Sequence, residues 1–466
     1  MIIVKKFGGT SVGSGERMLQ VADIIKADTR AKKGKEKHNV IAIVSAVSPA
    51  KKVNGTTSLL LKAAELAMQD ESFAAQVKQI RENHTGIIEF AIKDPGVRKE
   101  SVAFIDSELA RLQHILKSLT VMGIVNKDSI LLDSVICFGE QLSAYLLTQI
   151  LKSQGVNAVY KDLVQVIPSS VKKVDGSFFD KVQKAIAKAC RPKGDETLIV
   201  TGYFGALPGG MLNHIGRGYS DFTAALIAAG LGKDKVKELQ VWKEVDGICN
   251  ADPNKVPSAK VLPVISAREA SELTYFGSEV LHPFTVSRAT AYSIPIRIKN
   301  TFAPNQPGTF VAQAMTTIVK PITAITAKKN ISIVTIISNR MFNTYGFLAK
   351  IFNIMKERQI VVDLISTSEV SVSFSIDSHS KIDEAMADLA KLGEVVVVKQ
   401  QAILAIIGEN IKTSSDVTGR FFDSLGRAKI EVGMISKGEG QVNISCVIDE
   451  ADIERATAAV FREFFG

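Results

Sequence analysis

The chain has 466 residues, about three domains' worth at roughly 150 residues each, which excludes a single compact core. With 46% hydrophobic and 23% charged residues it is globular in composition, which excludes disordered and collagen-like architectures. The 57 basic and 48 acidic residues leave a net charge of +9, but basic residues gather only between Lys32 and Lys37, so small anionic substrates fit better than nucleic acid. No apolar run approaches the roughly 18 residues of a membrane-spanning helix, and Lys5 and Lys6 interrupt the apolar start, so the sequence reads as cytoplasmic. Cys137, Cys190, Cys249 and Cys446 each lie more than fifty residues from the next, too far apart for a metal knuckle or a redox pair, and read as packed thiols.

Up to about residue 300, β-branched runs alternate with helical stretches. Ile2 to Lys6 precedes Ser14 to Asp28, Val40 to Ala46 precedes Ser58 to Ala67, and Leu198 to Gly202 precedes Asp221 to Leu231, followed by Leu239 to Val245. That alternation predicts a largely parallel sheet covered by helices. Residues from about 60 to 150, including the periodic stretch Glu100 to Leu119, read as a helical insertion. A loop rich in Pro, Gly and Asn from Asn300 to Gly308 marks the boundary, giving a first domain over 1–300 and a linker over 301–320.

Beyond it the chain repeats. At an offset of seventy residues Ile351, Phe352, Met355, Ile360, Val362, Ile365 and Ser366 fall on Phe421, Phe422, Leu425, Ile430, Val432, Ile435 and Ser436, and Val372 to Asp377 matches Ile444 to Asp449. Two small βαββαβ domains are predicted over 321–466, the first about 330–398 and the second about 321–329 plus 399–466. Their exposed sheet edges and helix ends predict pairing with another copy.

Three clusters carry chemistry. Lys6-Phe7-Gly8-Gly9-Thr10-Ser11 ends the first strand, and adjacent glycines there bring backbone N–H groups against an anion while Lys6 supplies charge. It is neither a P-loop nor a Gly-x-Gly-x-x-Gly fingerprint. Gly216-Arg217-Gly218-Tyr219-Ser220-Asp221 leads into a helix; the Arg217 fork suits a carboxylate, and Asp221 either caps the helix or accepts from an ammonium. Trp242-Lys243-Glu244-Val245-Asp246-Gly247 runs from a strand into a turn, with Lys243 placed for a nucleotide. Ser45 ends the second strand, and Glu140 heads the helical stretch Gln141 to Leu151 with no local partner. His282, before Pro283, is not needed as a base, because a carboxylate acceptor is already ionised at pH 7.

In combination, Lys-Phe-Gly-Gly-Thr-Ser at 6–11, Gly-Arg-Gly-Tyr-Ser-Asp at 216–221, Trp-Lys-Glu-Val-Asp-Gly at 242–247, Glu-Leu-Thr-Tyr-Phe-Gly-Ser-Glu-Val-Leu-His-Pro at 272–283 and Val-Asp-Leu-Ile-Ser-Thr-Ser-Glu-Val at 362–370 resemble aspartokinase from end to end, most closely the fungal threonine-regulated form. The resemblance implies an α/β amino-acid-kinase fold, a mainly parallel eight-stranded sheet between helices, followed by two α+β ACT domains. It implies an enzyme that makes 4-phospho-L-aspartate from L-aspartate and ATP, with Mg²⁺ accompanying ATP. Lys6, Arg217 and Asp221 are the implied catalytic residues. Ser45, Thr57, Glu140, Arg217, Ser220 and Asp221 would bind aspartate, with Glu140 on its ammonium and Arg217 on its α-carboxylate. Lys6, Gly8, Gly9, Thr10, Trp242, Lys243, Glu244, Asp252 and Lys255 would bind ATP. Asn254 and Glu279 depart from the bacterial lysine-regulated pattern, which carries Arg and Lys there.

In the first ACT domain Met341, Thr344, Gly346, Asp363, Thr367, Ser368, Glu369 and Val370 form the implied effector site, with Asp363 on an amino acid's ammonium. The fungal likeness favours threonine over lysine, and a homodimer or tetramer through the ACT domains is expected. Two other readings stand beside this one: an ACT-based amino-acid sensor with a weak kinase domain, and a kinase of another small carboxylate or carbamate.

Overall fold

The computed structural model describes residues 1–29, 37–49, 52–122, 129–167, 174–216, 218–277, 280–313, 320–378 and 382–466. Packing divides the chain into two compact units, Met1–Ile248 with Val280–Gln313, and Cys249–Glu279 with Ala314–Gly466. The segment from Cys249 is placed in the second unit by apolar side chains sunk in that unit's cores, Ala251 and Val256 in one and Phe276 in another.

In the first unit the strands are β1 (Ile2–Phe7), β2 (Asn39–Val44), β3 (Ala158–Lys161), β4 (Thr197–Thr201), β5 (Val236–Lys243), β6 (Ile296–Asn300) and β7 (Thr309–Ala312). They lie in the order β3-β4-β2-β1-β5-β6-β7, all pairs parallel except β6 with β7. Side chains alternate across a strand, so Lys5 and Lys6 point to opposite faces. Lys5 reaches helix α1 (Gly15–Thr29), donating to the Ile24 carbonyl at 3.0 Å and pairing with Asp28 at 2.6 Å. Lys6 reaches helix α8 (Tyr219–Leu231) instead, which follows α6 (Phe178–Ala189) and α7 (Met211–His214) in the chain. Both faces of the sheet are thereby covered, as near-continuous apolar strands such as Val40-Ile41-Ala42-Ile43-Val44 require.

The helical insertion comprises α2 (Thr56–Met68), α3 (Ala74–Ala91), α4 (Pro95–Met122) and α5 (Ser129–Ser153). On α3, His84 is fully buried; its Nδ1 donates to the Ile80 carbonyl at 2.7 Å and its Nε2 has no partner. Burial pulls its pKa down to about 4. The folded pKa lies below the ordinary 6.5, so the folded state resists protonation and loses stability as pH falls from about 6.5 through 4. A shift of that size is worth about 3 kcal/mol. Calorimetry at pH 7 and pH 4 is expected to show a smaller acid loss for His84→Leu than for wild type by about that amount; equal losses would exclude it.

The second unit is built on a six-stranded antiparallel sheet. Strands β8 (Ala324–Ile337), β9 (Ile365–Thr367), β10 (Ser371–Asp377), β11 (Glu394–Ile407), β12 (Met434–Ser436) and β13 (Asn443–Asp449) lie in the order β9-β10-β8-β11-β13-β12. β8 and β11 are long and shared: Ile331 to Ile337 pair with β10 and with Glu394 to Val398, whereas Ala324 to Lys328 pair with Ile403 to Ile407, across register shifts between Val398 and Ile403. The helices Phe347–Glu357 and Ile382–Leu389 cover one half, Asp416–Arg427 and Ile453–Phe465 the other. Repeat-related Ile351 and Phe421, and Met355 and Leu425, occupy the two corresponding cores.

Candidate active site

Parallel order β4-β2-β1-β5 gathers the carboxyl ends of four strands on one rim of the sheet, where ligands bind in open α/β folds. Lys6 sits beside Ile43 of β2 and Val241 of β5, and Ser45, Gly202 and Lys243 stand at the ends of their strands. The start of α8 points into this rim. Asp221 takes Lys6 Nζ on Oδ1 at 2.6 Å and Lys243 Nζ on Oδ2 at 3.1 Å. Burial raises the cost of its charge, but the two ammonium groups outweigh it and bring its pKa down to about 2. Burial, partly opposed by Asp221, lowers the pKa of Lys6. One carboxylate thus holds two cations in register at the strand ends.

The glycine turn lies against this cluster. The Gly8 amide donates to the Trp242 carbonyl at 3.4 Å, and a side chain added at Gly8 would stand 3.9 Å from Lys6 Nζ. At Gly9 a Cβ would come within 2.6 Å of the Ala46 carbonyl oxygen, so glycine is needed for the close approach of the two loops. Thr10 begins a short 3-10 turn, Thr10–Val12, whose Thr10 carbonyl accepts from Arg17 Nη1 at 3.0 Å.

On the other side, Ser45 and Ser220 share a hydrogen bond of 2.8 Å across 175 residues of sequence. Glu140, on α5, is 1% exposed, and its Oε2 has no partner. A Cβ at Gly202 would meet Ser220 Cβ at 2.4 Å and Glu140 Oε1 at 2.8 Å, so these side chains converge over a position that must lack one. Burial pushes Glu140 up to about 8, against the pull of Lys6, the Tyr203 amide and the Tyr219 hydroxyl. A buried carboxyl with a free oxygen has the charge and the open acceptor that suit an ammonium group.

Lys6, Ser45, Glu140, Ser220, Asp221 and Lys243, together with the Gly8–Thr10 turn, are therefore parts of one rim. Thr57 lies in the first turn of α2, half-buried; the neighbouring Thr56 is fully buried with an unpartnered Oγ1. Glu244 is exposed beyond the end of β5. Asp252 and Lys255 belong to the second unit, where they pair at 3.4 Å and Asp252 also accepts from the Asn254 amide. Arg217 and Glu279 lie outside the described residues.

Trp242 is a correction. Its ring is buried between the Lys5 and Lys299 ammonium groups, each 5.3 Å from the centroid, and its Nε1 donates to Gln240 at 3.1 Å. Strand alternation sends it to the face opposite Lys243. It is a core residue whose backbone carbonyl, not its ring, meets the glycine turn. Sequence reasoning missed Thr56 and Tyr219; the latter stood inside the Gly-Arg-Gly-Tyr-Ser-Asp motif and was readable there.

In the second unit, Met341 and Glu369, with Phe342 and Asn343, line an open hollow of about 360 Å³. Thr344 is exposed, Gly346 caps the helix Phe347–Glu357 at φ 75°, and Thr367 ends β9. Ser368 closes the β9–β10 turn through Ser371 at 2.7 Å, and Glu369 and Val370 form its exposed tip. Asp363 is engaged elsewhere: its side chain is 4% exposed, bonded by Lys328 at 2.7 Å and by the Tyr275 hydroxyl at 2.8 Å.

A mainly parallel sheet with a glycine turn and paired lysines on one rim, followed in sequence by a duplicated βαββαβ sheet, defines an amino-acid-kinase unit coupled in sequence to ACT domains. Residues 1–300 match the amino acid kinase family, and 334–391 with 404–464 match the ACT domain. The aspartokinase of Candida albicans is 38% identical over 98% of this chain and 89% of its own length. Among solved structures, Escherichia coli aspartokinase III with aspartate and ADP (R-state) has a TM-score of 0.83 at 28% identity, covering all of both chains. The same enzyme with lysine and aspartate (T-state) has 0.74 at 26%, again over the whole of both chains. The chain belongs to the aspartokinase family and is a kinase.

Proposed function

We propose that the protein transfers the γ-phosphoryl group of ATP to the β-carboxylate of L-aspartate, giving 4-phospho-L-aspartate and ADP and opening the route to lysine, methionine and threonine. The observation that carries this reading is the free, buried Glu140 carboxyl one side of Lys6 and the glycine turn the other. Aspartate's ammonium is received by Glu140 with Ser45 and Ser220, and its α-carboxylate by Arg217. The β-carboxylate then faces the phosphate held by Gly8, Gly9 and Thr10. Lys6 and Lys243, aligned by Asp221, neutralise charge on the phosphoryl group in transfer. The acceptor carboxylate attacks phosphorus, the bond to the ADP oxygen breaks, and no proton moves. Mg²⁺ enters with ATP as part of the MgATP substrate. ATP-dependent formation of aspartyl hydroxamate in the presence of hydroxylamine tests the reading; a folded protein that forms none would overturn it.

For regulation, threonine is proposed as effector at the Met341–Gly346 and Asp363–Val370 elements, in a cytoplasmic homodimer or tetramer paired through the ACT units. The exposed apolar side chains Phe342, Tyr345, Val361 and Ile365 support pairing, because β9 is an edge strand with all three residues exposed. An effector ammonium on Asp363 has to compete with Lys328 and Tyr275. Lys328 keeps Asp377, at 2.9 Å, when Asp363 is removed, so Asp363→Ala is expected to retain basal activity while half-inhibition by threonine moves up at least about tenfold. Unshifted inhibition would exclude Asp363 from the site, and inhibition of the parent by lysine alone would replace the effector.

A further inference from the structure

The segment from Gly202 to Gly218 joins β4 to α8, and so determines where Ser220 and Asp221 stand. Two of its attachments are to side chains distant in sequence. Asp133 of α5 accepts the amides of Leu207 at 3.3 Å and Met211 at 2.8 Å, and His282 meets the Ile215 carbonyl through Nε2 at 2.8 Å. The second attachment lies next to the glycines: a Cβ at Gly218, where φ is 97°, would lie 3.4 Å from the His282 ring carbon Cδ2.

The two ring nitrogens of His282 have opposite duties. Nε2 faces a carbonyl and must carry the proton, whereas Nδ1 accepts from the Phe284 amide at 3.3 Å and must lack one. The ring is therefore a neutral imidazole of fixed tautomer. Burial lowers its pKa, which agrees with that state. Nδ1 caps the helix Pro283–Ala291, and Nε2 anchors the loop that carries Arg217 in sequence.

We propose that His282 is a positioning residue for the aspartate subsite, acting through its Nε2 bond to the Ile215 carbonyl rather than through proton transfer or helix capping alone. The inference rests on the proposed function, since it concerns the affinity of that site for aspartate. A misplaced loop weakens binding of the substrate that the loop holds and leaves the nucleotide turn on β1 untouched.

Two near-isosteres separate the nitrogens. His282→Asn retains a good N-cap acceptor where Nδ1 stood but cannot reach Ile215. His282→Gln places an amide N–H near the Nε2 position and gives up the cap. Steady-state kinetics are expected to show the aspartate KM raised at least about tenfold in His282→Asn, with the ATP KM within about threefold of wild type and any fall in kcat smaller than the rise in aspartate KM. His282→Gln is expected to keep the wild-type aspartate KM and to melt at lower temperature. An unchanged aspartate KM in His282→Asn overturns the proposal by itself, whether or not His282→Gln folds. Loss of kcat in both variants with unchanged KM and an altered pH profile would assign proton transfer instead. Wild-type protein inert towards aspartate would show failure of the functional reading, before either variant is measured.

Discussion

Lys6→Met is expected to lower kcat at least about a thousandfold in a protein that still folds, because charge stabilisation in a water-poor site is worth about 4 kcal/mol or more. The side chain is buried, among the described residues its one ion pair is with Asp221, and it lies beside the Gly8 turn where the transferring phosphate is proposed to sit. Methionine preserves most of the volume, and Asp221 keeps Lys243 at 3.1 Å, so no buried carboxylate is left wholly unpaired. The contrast with Lys5→Met sharpens the expectation. Lys5 is equally buried on the same strand, but it serves Asp28 and the Ile24 carbonyl on the opposite face, so its loss should register in thermal stability and hardly in kcat. The hydroxamate rate of both variants, normalised by a melting curve, separates the two lysines. A Lys6→Met rate near wild type would remove Lys6 from the chemistry.

That contrast also shows what the sequence could and could not reveal. The glycine turn, the helix beginning at Tyr219 and the duplicated C-terminal half follow from local rules: glycine pairs after a strand, a polar start to an apolar helix, and an apolar period repeated at an offset of seventy residues. Strand alternation likewise held the information that Trp242 and Lys243 face opposite ways, and the assignment of Trp242 to ATP set it aside. Partnerships across the fold were not legible. Ser45 and Ser220 are separated by 175 residues and His282 and Ile215 by 67, and no local pattern in either segment signals the other. The same holds for Asp363: its sequence neighbours suggested a carboxylate for an effector's ammonium, whereas folding brings Lys328 and Tyr275 onto it. Residues that act by holding a distant loop show themselves only once the sheet order has brought distant stretches of the chain together.

Glu140 carries the other large expected effect, and it is a proton count. With a pKa of about 8, the carboxyl is about nine-tenths protonated at pH 7 in the free protein. An aspartate ammonium placed against Oε2 favours the carboxylate, so binding is expected to expel close to one proton per site. Calorimetric titration of aspartate in buffers of different ionisation enthalpy reads that number directly. The sign follows from linkage: a complex that binds fewer protons than the free protein tightens as pH rises. Apparent affinity should therefore increase towards pH 8, by up to about tenfold per pH unit below it, and level off above. Folding stability runs the other way, because the raised pKa means the folded state loses this group's contribution as pH climbs from 4.5 towards 8. Glu140→Gln keeps the shape and removes the charge. It should raise the aspartate KM about a hundredfold, abolish proton release and be no less stable than wild type at pH 8. Proton release that persists in Glu140→Gln would place the titrating group elsewhere, and an unchanged aspartate KM would take the ammonium site away from Glu140 altogether.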